Sequence, residues 1–312
     1  GNMQAGEVVL LENLRFHGEE QTNDNDFGKK LGRLCDVYIN DAFGVSHRAH
    51  ASVAGVTEQV TDKADGLLLH KELDYFHRAI DMPQRPLVAI VGGAKVSSKL
   101  QALNQMLDKV DKMLIGGAMA NTFLKSQGLA VGASKVEDDL LDSARQVLAD
   151  AKAKGVKVYL PVDVIAADRF APDAVCKQVT VQDIPDGWMA LDIGPASVIC
   201  FSEVLADAKT IVWNGPMGVF EMEAFAGGTL AVAQAVADRA QQRAADGQVA
   251  IAVVGGLDLA LVESLVCGNG RSSEFFVQVQ HALDKGDHLV MAGDVCRVVK
   301  VDGADGKRGQ FI

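Results

Sequence analysis

At 312 residues the chain has room for two domains on the usual scale of roughly 100 to 200 residues each, and 48% hydrophobic with 23% charged residues is the composition of a globular protein that buries a core. A formal net charge of -11 excludes a broad nucleic-acid surface, which needs surplus lysine and arginine to displace counterions. It leaves local basic clusters able to hold a small polyanion.

No apolar run approaches the ~20 residues of a membrane span. The first residues, GNMQAGEVVL, lack the basic flank and long apolar core of a secretory signal, so the expected compartment is the cytoplasm. Five scattered cysteines, Cys35, Cys176, Cys200, Cys267 and Cys296, form no CxxC pair and fit free thiols in a reducing environment.

In chain order, Glu7 to Leu11 reads as a strand, ended by the turn-rich ENLRFHGEEQTNDND. Phe27 to Leu34 has helical spacing and DVYIND, 36 to 41, reads as a strand. The irregular AFGVSHRAHASVAGV follows, with His47, Arg48 and His50; function often sits on such loops. The two histidines have the spacing of a metal pair but no third ligand is evident, so a hydrogen-bonded loop is the preferred reading. LLLHKELDYFHRAI, 67 to 80, is an amphipathic helix candidate, and Pro83 and Pro86 make 81 to 86 a natural boundary.

From there strand and helix alternate: strand 87 to 92, helix 96 to 108, strand 110 to 116, helices 118 to 127 and 137 to 154, strand 156 to 161. That rhythm predicts parallel strands joined by crossover helices. Residues 162 to 195 are less regular, with a small antiparallel excursion expected around VCKQVTV; helix 196 to 207, strand 209 to 213, helix 223 to 244 and strand 249 to 254 restore the alternation. The last stretch, 268 to 312, reads as a helix around 272 to 284, the hairpin HLVMAGDVCRVVKV and a polar end.

The chemistry concentrates in VAIVGGAKVSSK, 88 to 99. A buried strand turns through Gly92 and Gly93 into a helix whose first turn is expected to carry Lys95 and Lys99 on one face. Two cations there oppose the helix dipole and each other by about 0.2 to 1 kcal/mol for each effect, and an anion between them reverses both penalties. The stretch therefore reads as a phosphate cradle or, blandly, as a solvated helix start with two surface lysines. IGGAMANTF, VWNGPMGVFE and VVGGLDLA repeat its strand, glycine, helix grammar. Four such turns at the carboxyl ends of parallel strands favour a nucleotide or phosphate ligand, and they include Gly92, Gly93, Gly255 and Gly256.

LLENLRFH, DAFGVSHRAHAS, GGAKVSSK, GGAMANTF, LDIGP, WNGPMGVFE and VVGG occur in the order and approximate spacing of phosphoglycerate kinase, and the resemblance runs from about Gly6 to Gly256. It implies an α/β fold: a doubly wound parallel sheet forming the C-terminal nucleotide domain, with a partial second α/β domain. It implies phosphoryl transfer between 1,3-bisphosphoglycerate and ADP, giving 3-phosphoglycerate and ATP in glycolysis, with magnesium. By position, Arg15 and Arg48 match the arginines that hold the glycerate phosphate, a task that suits the planar guanidinium fork. Lys95 and Lys99 match the catalytic lysines on the transferring group and the nucleotide phosphates, Asn214 a phosphate contact, Glu221 the ribose carboxylate, and Asp258 the magnesium aspartate. On the residues alone, Arg15 also reads as a surface ion pair, Glu221 as a helix-start acid and Asp258 as an N-cap.

The chain departs from the family in three places. It begins at roughly the last third of the family's N-terminal domain, so the upstream Asp-x-Asn motif, cleft arginine and His-x-Gly-Arg motif have no counterpart. The expected GGGDT reads GGLDL, with Leu257 and Leu259 in place of glycine and threonine. The STGGGA loop is absent. The resulting partition is a partial glycerate-binding domain over 1–66, an interdomain helix and linker over 67–86, a nucleotide-binding domain over 87–267 and a divergent tail over 268–312. Two other functional readings stay open, a non-catalytic Mg-ADP/ATP-binding fragment and a partner-dependent structural remnant. Strands at 7 to 11 and 36 to 41 are expected to leave open edges through which copies associate.

Overall fold

The computed structural model describes residue 4, residues 6–246 and, as backbone, residues 251–255, 275–278, 288–292 and 295–299. The chain divides into two units, Gly1–Asp74 and Tyr75–Ile312.

The first unit carries two short helices, α1 (Gly18–Gln21) and α2 (Asn25–Gly32), a two-stranded parallel sheet of β1 (Val37–Asn40) and β2 (Asp62–Asp65), and the start of α3 (Leu67–Ile80). Asp24 starts α2 by accepting from the Phe27 N–H at 2.8 Å. Asp41 does the same for α3 from outside the helix, accepting from the Leu69 N–H at 2.9 Å. The strand expected at 7 to 11 is not formed: the segment is irregular, with Val8 93% and Leu10 97% exposed. Apolar residues make a strand only where a neighbour takes up their backbone groups, and no strand pairs with this segment among the described residues. Conversely DKAD forms β2 although Ala64 is its one apolar residue, because β1 supplies the ladder.

The second unit is built on a six-stranded parallel sheet. Its strands are β3 (Leu87–Val91), β4 (Lys112–Ile115), β5 (Lys157–Tyr159), β9 (Thr210–Asn214), β10 (Ile251–Gly255) and β11 (Phe275–Gln278), in the order β11-β10-β9-β3-β4-β5. Between them run α4 (Leu100–Met106), α5 (Gly117–Ser126), α6 (Leu141–Ala153), the antiparallel trio β7-β6-β8 with β6 (Asp163–Ala167), β7 (Cys176–Thr180) and β8 (Met189–Ile193), then α7 (Pro195–Leu205) and α8 (Gly227–Ala245). The trio realises the excursion expected around VCKQVTV. A final antiparallel pair, β12 (His288–Ala292) and β13 (Val295–Val299), is the expected terminal hairpin. Residues 275–278 lie in the stretch expected to be helical; they are a strand, because FFVQ pairs in parallel with β10.

β3 is buried along its whole length, and its side chains divide by parity between two cores. Val88 and Ile90 pack with Phe201, Leu205, Trp213, Val232 and Val236, the layer of α7 and α8. Leu87, Ala89 and Val91 pack with Leu103, Met113, Phe123 and Val147, the layer of α4, α5 and α6. Helices thus cover both faces, which is why the strand reads as an unbroken apolar run.

Candidate functional site

The chain winds outward in two directions from the centre of this sheet, from β3 through β4 to β5 and from β9 through β10 to β11. The strand order reverses between β3 and β9, and in open parallel sheets ligands bind in the crevice at the carboxyl ends of the strands flanking such a reversal. Here those ends are level: Val91 pairs with Asn214 and with Ile115, and Asn214 pairs with Gly255. The glycine turns of the sequence therefore meet in one row.

Three of the turns are tied backbone to backbone. The Gly92 N–H donates to Asn214 O and the Gly93 N–H to Pro216 O, both at 2.9 Å; the Gly117 N–H donates to Met217 O at 2.9 Å and the Met119 N–H to Gly93 O at 3.0 Å. A Cβ on Gly92 would run into Pro216 O, and Gly117, at φ +66°, would run into Gly93. Glycine at 92 and 117 thus allows close approach of chain to chain. The N–H groups of Gly92 and Gly93, which the sequence reading offered to an anion, are already donated to these carbonyls.

The lysines differ from expectation in a related way. The helix starts at Leu100, with Lys99 as its N-cap, so Lys95 and Lys99 do not share a helical face. Residues 97 to 99 form a turn, and Glu137 reaches in from 41 residues beyond Val96 to take the donors at its start: its carboxylate accepts from Val96 N–H at 2.5 Å, Ser97 N–H at 3.1 Å and Ser97 Oγ at 2.5 Å. Partial burial raises the Glu137 carboxyl, but the Ser97 hydroxyl, the two N–H groups and the charge of Lys95 outweigh it and hold the group below its ordinary value. Lys95 is exposed. Lys99 folds back over the reversal, its Nζ donating to Gly92 O at 2.5 Å and Asn214 O at 3.2 Å, and burial lowers it to about 8. An ammonium held at the end of two central strands by carbonyls alone is ready to exchange them for an anion.

Asn214 ends β9 with an exposed side chain, and Glu221 is exposed on the following loop. The loop is fixed from below: Trp213 Nε1 donates to Gly215 O at 2.7 Å, Met217 N–H to Thr229 Oγ1 at 3.0 Å and Val219 N–H to Leu191 O at 2.9 Å. Under it lies Asp192 of the LDIGP motif, 5% exposed, accepting from Gly228 N–H at 2.6 Å and Ile193 N–H at 2.9 Å. Burial pushes its carboxyl up to about 7, against the pull of those two donors. Sequence reasoning assigned no role to Asp192 or Glu137. Both act on segments distant in sequence, and only the LDIGP match marked one of them.

In the first unit, Arg15 lies on a 3-10 turn (Leu14–Phe16) and Arg48 in the loop after β1, both partly buried. Arg48 Nε donates to His47 Nε2 at 3.4 Å. The Arg48 loop is anchored by the buried Glu20, which accepts from Ser52 N–H at 2.9 Å and Ser52 Oγ at 2.5 Å and faces His50 Nδ1 at 3.7 Å. His50 is thus engaged with a carboxylate in a hydrogen-bonded loop. Among the described residues no group of three His, Cys, Asp or Glu side chains is placed to hold a metal ion. Gly255 is present as the last residue of β10, while Gly256 and Asp258 lie outside the described residues.

A groove of about 560 Å³ opens at the other end of the sheet, below the amino ends of β3, β4 and β5. Its cations are largely committed, Arg85 to Asp111 at 2.6 Å, Lys154 to Asp108 at 2.7 Å and Lys112 to Asp207 at 2.6 Å. The glycine turns and Lys99 lie at the opposite, carboxyl end.

A doubly wound parallel sheet with glycine turns and a partly buried lysine at its reversal is the architecture of α/β proteins that bind nucleotides and phosphates. The sequence model of a family described as phosphoglycerate kinase matches residues 1–276, and the chain belongs to that family. It is 66% identical over 233 residues to a phosphoglycerate kinase of Desulfotalea psychrophila, covering 75% of this chain and 59% of that protein. It is 56% identical over 261 residues to that of Synechococcus elongatus, covering 83% and 63%. The solved structure of phosphoglycerate kinase from Coxiella burnetii superposes with a TM-score of 0.77 at 40% identity, covering 89% of this chain and 70% of the other. The chain spans about three fifths of the length of the relatives it matches. No helix among the described residues is long and apolar enough to cross a membrane.

Proposed function

We propose that this chain serves phosphoryl transfer between 1,3-bisphosphoglycerate and ADP, with the second unit holding the nucleotide. The observation that carries the reading is Lys99 Nζ at the strand-order reversal, held by two carbonyls and lowered to about 8 by burial. In the forward direction a terminal oxygen of ADP attacks the phosphorus of the acyl phosphate, the bond from phosphorus to the carboxyl oxygen breaks, and 3-phosphoglycerate leaves as a carboxylate. Such transfer needs charge stabilisation and alignment more than covalent help. Lys99 exchanges its carbonyls for phosphate oxygens, and Lys95 adds charge from the exposed side of the turn. Asn214 contacts the phosphates and Glu221 takes the ribose hydroxyls. Gly255 and Gly256 let the backbone approach the nucleotide, while Gly92 and Gly93 hold the turns together around it. Arg15 and Arg48 of the first unit hold the glycerate phosphate.

Asp258 is the residue that would hold magnesium, which would supply positive charge to the nucleotide phosphates. One carboxylate plus phosphates is an ordinary magnesium environment. Cytoplasmic residence and association of copies through β1, whose Val37 and Ile39 are 53% and 59% exposed, belong to the same proposal.

The test is ATP formation from 1,3-bisphosphoglycerate and Mg-ADP in a coupled assay. Turnover that falls at least about 1000-fold in Lys99→Ala supports the reading, as expected for loss of a charge on the transferring group. Turnover at background in the unsubstituted chain overturns it.

A further inference from the structure

Two buried aspartates sit on the antiparallel trio, and they are satisfied differently. Asp163 of β6 is fully engaged at the start of α7, accepting from Ala196 N–H at 3.1 Å, Ser197 N–H and Ser197 Oγ at 2.7 Å and Gln178 Nε2 at 3.1 Å. Among the described residues, Asp192 of β8 accepts from two backbone N–H groups, Gly228 and Ile193. The rest of its carboxylate is packed against glycine: a Cβ on Gly218 or on Gly228 would collide with it. Those glycines are the two ends of the 219–227 excursion that carries Glu221, so both ends close on one carboxylate. The excursion is also rooted by Phe225, which is completely buried, and by the Val219 bond to β8.

We propose that Asp192 is a positioning residue whose carboxylate sets the course of the 215–228 backbone and thereby aims Asn214 and Glu221 at a nucleoside diphosphate. This deepens the nucleotide reading above and rests on it for the ligand. A carboxylate at the start of α8 is favoured by the helix dipole and by its two donors, and burial opposes it. Among the described residues, the elements around it offer no partner charge. The first turn of α8 and Gly215 to Phe220 hold no titratable group; beyond them Glu221 and Glu223 are exposed, and Asp163 on the paired strand β6 is bonded to Ser197. Burial outweighs the two donors, so the closed loop keeps Asp192 protonated, and ionisation, with no charge to offset it, loosens the loop as pH rises through about 7.

Trp213 reads this directly, since its indole donates to Gly215 O within the same loop. In a Trp188→Phe background, which leaves Trp213 as the one tryptophan of the chain, its emission is followed from pH 5.5 to 8.5, together with Mg-ADP binding by calorimetry. The expected result is a single emission transition near pH 7, absent in Asp192→Asn, and a dissociation constant for Mg-ADP that rises several-fold more between pH 6 and pH 8 in the parent than in Asp192→Asn, whose side chain stays neutral and whose melting remains cooperative. A flat emission profile in the chain that retains Asp192 overturns the proposal, whether or not Asp192→Asn folds. So does a folded Asp192→Asn with the parent's emission profile and ADP affinity. A parent chain that shows the transition but binds no Mg-ADP overturns the nucleotide reading and the aiming role together, leaving Asp192 only as a loop tie.

Discussion

Lys99 has its Nζ on two main-chain carbonyls at the strand-order reversal, and burial brings its proton loss to about pH 8. Below that pH the group is cationic and attracts phosphate; above it the attraction fades. Mg-ADP affinity is therefore expected to fall about tenfold between pH 7 and pH 9 and to become nearly flat in Lys99→Arg, because a guanidinium stays charged. Calorimetry at the two pH values checks this. Asp192 titrates with the opposite consequence for stability. Its folded value, about 7, lies above its ordinary 3.8, so between those values the folded chain keeps a proton that the unfolded chain has released. Its contribution is greatest at the acid end and is lost as pH rises through 7, by up to about 4 kcal/mol. Urea unfolding at pH 4.5 and pH 8 is expected to show a smaller loss for Asp192→Asn than for the parent; equal losses would contradict the assignment. Neither property could be read from composition or spacing, since each depends on which backbone groups lie beside the side chain.

At the scale of elements, the sequence was most legible where one segment decides its own state. Leu67–Ile80 is helical over the range its apolar spacing and the following prolines define, and Leu87–Val91 is a strand buried on both faces. It was least legible where a distant partner decides. VVLL at 8 to 11 has strand composition and no strand neighbour, DKAD has a neighbour and no strand composition, and FFVQ joins the sheet because β10 receives it. The delayed start of α4 has the same origin in Glu137. Glu137→Ala is expected to cost about 1 to 3 kcal/mol, the scale of leaving donors unsatisfied, and to weaken Mg-ADP binding by releasing the turn between the lysines. Glu137→Gln, which keeps an acceptor, should lose less. Chemical denaturation of the two variants separates these outcomes. Gly117→Ala tests the row of turns itself: at φ +66° and against Gly93 it should destabilise by more than the ~1 kcal/mol of an ordinary glycine replacement.

For the whole molecule, the collinear motifs made the family and the sheet legible before any geometry was known, since GGAKVSSK, GGAMANTF, WNGPMGVFE and VVGG each fall at the carboxyl end of a strand of the parallel sheet. What they could not convey was that the turns are bonded to one another, leaving side chains rather than glycine N–H groups of 92 and 93 to receive an anion. A net charge of -11 surrounds this small cationic centre, so binding is expected to depend on Lys95 and Lys99 locally rather than on the overall field. The most direct measurement is titration of the chain with Mg-ADP at pH 7.5 by calorimetry, paired with melting in the presence of ligand. The account predicts saturable binding that Lys99→Ala abolishes, and stabilisation of about 2.7 kcal/mol at a ligand concentration 100 times the dissociation constant. No heat of binding and no change in melting with the folded chain would contradict it.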